Sequence, residues 1–112
     1  MKHLAIFLLL LTCLLPSSLQ AATLPPVDEI QQKAKQFYDE KGEWAGAFVI
    51  QRFMRQRIAD QSDNSFTAHL EYEWAFKQDV SRSGTDERTF TFEFRDGHWQ
   101  VTDMGGNHSG KL

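Results

Sequence analysis

The stretch GEWAGAFVIQRFMRQRIAD, residues 42–60, can be read in two ways, and the choice decides the fold. Wound at 3.6 residues per turn, it gathers Ala47, Ile50, Met54 and Ile58 on one side of a helix. Extended, it sends Phe48, Ile50, Met54 and Ile58 to one face of a sheet. The neighbouring segment FTAHLEYEWAF, residues 66–76, arbitrates, because it carries an apolar side chain at every even position and so reads as a strand. An antiparallel pairing of the two sets Phe48 against Phe76, Ile50 against Trp74, Arg52 against Tyr72, Met54 against Leu70 and Ile58 against Phe66. The turn formers DQSDN (60–64) then close the hairpin. Sliding the register by one residue would carry Arg55 and Arg57 onto the apolar face, so the first register is preferred.

A second hairpin is written into RTFTFEFRDGHWQVTD, residues 88–103. Phe90, Phe92 and Phe94 alternate with polar residues, and Asp96-Gly97 is a two-residue loop of the kind that reverses a chain. That loop places Phe94 opposite Trp99 and Phe92 opposite Val101, which matches the apolar faces. Ahead of both hairpins, Val27, Ile30, Ala34, Phe37 and Tyr38 fall on one side of a helix predicted over 27–41. Asp28 and Glu29 in its first turn and Lys41 in its last suit the helix dipole, and Gly42 is placed to end it in a left-handed conformation.

The resulting expectation is α+β: an N-terminal helix packed on a four-stranded antiparallel meander, with SRSGTDE (81–87) linking the hairpins. This order of elements resembles the cystatin-like and nuclear-transport-factor-2-like families, in which a curved antiparallel sheet cradles a helix. The resemblance extends over most of the chain after its leader, and DGHWQVTDM (96–104) looks like the closing hairpin of many such domains. The extra helices of the larger nuclear-transport-factor-2-like members have no counterpart here, which argues against a deep pocket. With 44–58 read as a helix, the layout would instead be two helices and three strands, similar to small periplasmic and outer-membrane accessory lipoproteins.

At the start of the chain, Met1-Lys2-His3 precedes an uncharged run of 12 residues, Leu4 to Leu15, and then PSSLQAA ending in small residues. This is the pattern of a secretory signal peptide over 1–22, cut near Ala22. The run is shorter than the ~20 residues that a membrane-spanning helix needs, so no transmembrane segment is expected in the mature chain. Cys13 sits in a sequence only loosely like a lipoprotein cleavage site, with Thr12 where a smaller residue is usual, so acylation there is not the preferred reading. The chain is accordingly read as periplasmic or secreted, with 23–26 a linker, 27–104 one domain and 105–112 a flexible Gly-rich tail.

Taking away residues 1–22 removes one of the 12 basic residues, Lys2, and none of the 15 acidic ones, so the formal charge of −3 becomes −4. An acidic balance of this kind argues against a nucleic-acid partner. The same cut removes the single Cys, so the domain must fold by burial without a disulfide. Nucleophile motifs and phosphate-binding loops are missing from the sequence, and no cofactor is implied. His69, His98 and His108 stand at no metal-ligand spacing, and no metal site is expected.

Two functional readings follow. In the first, one helix leaves part of the aromatic face uncovered, and Trp44, Tyr72, Trp74, Phe90 and Trp99 hold a protein partner or an apolar small molecule. The open edges at 44–58 and 98–104 offer a peptide a second route. In the second, Asp103 faces Phe90 on the apolar side with Tyr72 nearby. The resemblance to the ketosteroid-isomerase-like branch then implies a small-pocket enzyme or carrier. The non-catalytic reading is preferred, because an Asp at a strand end ordinarily reaches water.

Overall fold

A computed structural model describes residues 22–110 of the chain; residues 1–21, which hold most of the segment read as a signal peptide and Cys13 with it, and residues 111–112 lie outside the described region. Helix α1 spans Val27–Lys41, as its periodicity predicts, and buries Ile30, Ala34 and Tyr38 at four-residue spacing on one stripe. It starts after Pro26, whose carbonyl accepts the Ile30 N–H at 3.1 Å. At the other end Gly42 is extended (φ −67°, ψ 163°) rather than left-handed. Crowding still requires a glycine there, since a Cβ would lie 2.7 Å from the Tyr38 carbonyl oxygen.

Four antiparallel strands follow in the spatial order β1-β2-β3-β4: β1 Phe48–Ala59, β2 Ser65–Phe76, β3 Asp79–Arg95 and β4 His98–Gly105. Residues 48–59 are therefore strand, which excludes the two-helix layout. The helix packs on one face of this meander, so the fold is α+β. The segment 81–87 is not a linker. It forms the first half of a 17-residue β3, and the turn lies before it at Lys77–Gln78.

In the first hairpin the register agrees with the sequence at the end far from the turn and departs from it towards the turn, whereas in the second it agrees beside the turn and departs beyond it. Phe48 pairs with Phe76 and Ile50 with Trp74, but irregularities after Ile50 and after Phe53 set Arg52 against Glu73, Phe53 against Tyr72, Arg55 against Glu71 and Ile58 against Ala68. Strict alternation would have turned Arg52 onto the apolar face. Bulges at Gln51 and Met54 insert extra residues, put Phe53 inside instead, and leave Met54 exposed. In the second hairpin Asp96 (φ 55°) and Gly97 (φ 82°) both adopt left-handed conformations, and Phe94 meets Trp99 and Phe92 meets Val101 as expected. A further irregularity then sets Met104, not Asp103, opposite Phe90.

Between helix and sheet lies a core built largely of rings. Phe66 stacks on Phe92 with centroids 4.7 Å apart, and Trp99 meets Phe66 edge-on at 4.9 Å. Fully burying a side chain of this kind contributes roughly 1.5–3 kcal/mol, which is how a domain without disulfides holds together. Residues 23–26, expected to be only a linker, and Ala22, expected to end the signal peptide, belong to this packing. The Trp99 indole N–H bonds to the Thr23 carbonyl at 2.9 Å, and Ala22 and Leu24 lie against the core.

Candidate functional site: a polar cluster and an open edge

The aromatic stripe turns out to be core. Tyr72 and Phe90 are fully buried and Trp74 and Trp99 nearly so, which leaves them no surface to offer a partner. Of the five aromatics singled out from the sequence, Trp44 alone is exposed, at 39 %, in the turn that leads into β1. Asp103 and Tyr72 do not come together either. The bulge at Thr102 turns Asp103 outward to pair with Thr91, while Tyr72 sits in the core with its hydroxyl buried and unpartnered.

A polar cluster that the sequence reading passed over lies at the end of the sheet where α1 finishes. Arg88 comes from β3 on the same face as Phe90 and Phe92 and is only 2 % exposed. Its guanidinium donates to both carboxylate oxygens of Glu43, at 2.9 and 2.7 Å, and to the carbonyls of Gly105 and Gly106 at 3.2 and 3.0 Å. Burial by itself would lower the Arg88 pKa, but the hydrogen bonds and charge of Glu43 more than reverse this and hold it above its ordinary value. In return the hydrogen bonds from Arg88 hold Glu43 below the usual carboxylate range.

Beside this pair, residues 106–110 lie against the sheet rather than fraying as their Gly-rich composition suggested. The His108 ring packs against Phe48, Trp74 and Tyr38, with centroids 4.4, 5.0 and 5.9 Å away. Its Nε2 lies 2.9 Å from the Tyr38 hydroxyl and its Nδ1 lies 3.3 Å from Asp86 Oδ2. Both the imidazole and the Asp86 carboxylate are almost wholly buried, 4 % and 6 % exposed. Burial, followed by the negative charge of Asp86, raises the Tyr38 phenol above its ordinary value. Tyr, His and Asp in a row look like a proton relay, but the rings around them shut out any substrate. The arrangement fastens residues 106–110 to the helix and sheet.

An accessible groove lies elsewhere, where α1 runs beside β4. A groove of about 230 Å³ is lined there by Lys33, Phe37 and Glu40 of the helix and by His98, Gln100 and Val101 of the strand. Phe37 and Val101 are half-buried, so the floor is apolar and the rim is charged. The far side of β4 has no neighbouring strand. At the opposite edge β1 carries its two bulges, and Arg52 and Arg55 turn to Glu73 and Glu71 at 3.3 and 3.8 Å. Bulges and charges are what keep an edge from pairing with another strand.

Among the described residues, no three His, Cys, Asp or Glu side chains converge as a metal site would require, and no helix is long and apolar enough to cross a membrane. No family model matches the chain, and neither a curated protein nor a solved structure matches it.

Proposed function

We propose that this chain is a small exported, non-catalytic binding domain that takes up an extended peptide segment along the free edge of β4. The leader at 1–22 supports export to the periplasm or beyond, and the order of helix and strands supports a cystatin-like or nuclear-transport-factor-2-like outline. The observation that carries the reading is the groove between α1 and β4 lying beside an unpaired strand edge. Arg95 pairs with His98 across the two-residue turn, and in such a hairpin this is the pair that exchanges hydrogen bonds. Alternation then turns the N–H and C=O of Trp99 and Val101 towards the open side. An added strand would bond to those groups and drop every second side chain into the groove over Phe37 and Val101. A pocket enzyme using Asp103 and Tyr72 finds no support in this geometry.

The test is to select extended peptides on the exported protein from a random library and to map the bound peptide by amide shifts. Binding along Trp99 to Val101 and Phe37 supports the reading. Val101→Pro, which removes an outward N–H and spares the β3–β4 ladder, should then cost at least tenfold in affinity. Binding that maps to β1, or that survives Val101→Pro unchanged, would sink it.

A further inference from the structure

The fastening at residues 106–110 offers His108 Nδ1 two partners that exclude one another. Nδ1 accepts the Gly110 N–H at 2.9 Å, which a ring nitrogen can do only while it carries no proton. This hydrogen-bond network assigns the ring as neutral, with its proton on Nε2, donated to the Tyr38 hydroxyl. A second proton would have to sit on Nδ1, where it would confront the Gly110 N–H and be drawn to Asp86 Oδ2 at 3.3 Å. That same oxygen accepts the Ser109 N–H at 3.0 Å. One proton therefore disturbs two of the bonds that seat the segment.

Two further contacts show how closely the segment is fitted. Gly110 sits where a Cβ would lie 2.8 Å from the Trp74 ring and 3.1 Å from the Phe48 ring, so residues 108–110 lie closely against both rings, which touch each other edge-on with centroids 5.1 Å apart. The Trp74 indole N–H bonds to the Ser109 hydroxyl at 3.3 Å.

We propose that residues 106–110 are an acid-released strap, latched by His108 Nδ1. It covers the Phe48 and Trp74 rings at neutral pH and uncovers them when the His108 ring takes up a second proton. The charged and titratable groups that face the ring are Asp86 and Arg88 from β3, Glu43 from the turn after α1 and Tyr38 from α1; Phe48 and Trp74 bring no charge. Glu43 is committed to Arg88, so Asp86 is the carboxylate within reach. Burial holds the imidazole below its ordinary value against the pull of Asp86 and Glu43, and Arg88 adds to the lowering. The sign follows: the unlatched ring takes its proton first, at about pH 6.5. Seating is thus firm above that pH, weakens as pH falls towards the value of the seated ring, and changes no further below it.

The experiment is a proton and nitrogen NMR titration of the full chain from pH 8 to 4.5. The His108 Cε1–H, the Gly110 amide and the Trp74 indole N–H should move together with one midpoint below 6.5, while the amides of Phe66 to Tyr72 stay in place. His108→Gln should abolish the joint step whether its strap is seated or open. A midpoint above 6.5, a His108 titration that leaves Gly110 and Trp74 unmoved, or a joint step that persists in His108→Gln would overturn the proposal.

Discussion

Gly84→Ala sets two effects of opposite sign against each other, and the structure decides between them. Gly84 pairs with Trp74 across β2 and β3, and its backbone lies outside the left-handed region that favours glycine. On backbone grounds alone the substitution should stabilise by about 0.4–1 kcal/mol, because the unfolded chain loses freedom. The new Cβ, however, would lie 2.6 Å from Cζ2 and 2.9 Å from Cε2 of the Trp74 indole. Ordinary carbon contacts begin near ~3.5 Å, so the ring must retreat by roughly 1 Å. Phe48 at 5.1 Å, His108 at 5.0 Å and Gly110 fill the space behind it. Overpacking a site of this kind costs about 1–3 kcal/mol, and loss of the Trp74–Ser109 hydrogen bond adds about 1 kcal/mol.

The net expectation is a loss of about 1–3 kcal/mol, or a fall in Tm of roughly 5–20 °C for a domain of this size. Urea unfolding followed by circular dichroism, with the slope m unchanged, would measure it. In a Trp74→Leu background the clash is gone, and Gly84→Ala should become neutral or stabilising. Wild-type stability or better for the single variant, or a coupling near zero between the two sites, would refute the reasoning.

Removing Arg88 strips hydrogen bonds from two backbone carbonyls and from Glu43, so Arg88→Ala should lower unfolding stability by about 2–4 kcal/mol in the same urea assay. Because Glu43 is held below its ordinary value by Arg88, the stability it contributes is present above about pH 4.5 and is lost as pH falls further. Urea midpoints at pH 6 and pH 3 should therefore differ less in Glu43→Gln than in wild type. Asp103→Asn should change stability by no more than about 0.5 kcal/mol and leave peptide binding at β4 intact, since the side chain is exposed and turned away from the core.

Some of the cluster could have been found by closer reading. Arg88 has the same parity as Phe90, Phe92 and Phe94, which in a strand puts it on the buried face, and a buried Arg requires a carboxylate partner. His108 gave no such signal. It lies in a segment without periodicity, and its seat is assembled from α1, β1, β2 and β3 together. Asp103 was misplaced because alternation counted from the Asp96-Gly97 turn holds only as far as the first bulge.

Local chemistry was enough to establish the helix over 27–41, the strand character of 48–59, 66–76 and 88–103, and the pairing beside the closing turn. These follow from the 3.6- and 2-residue periods of apolar side chains and from the left-handed conformation of an Asp-Gly pair. Only the tertiary structure decided the bulges at Gln51, Met54 and Thr102, the burial of the whole aromatic face, and the seating of residues 22–26 and 106–110. Each of those outcomes depends on which distant residues arrive opposite one another. A bulge in β1 forms where an arginine would otherwise face the core, and a Gly-rich end is held where it fits against two distant rings, neither of which is written in the neighbouring residues.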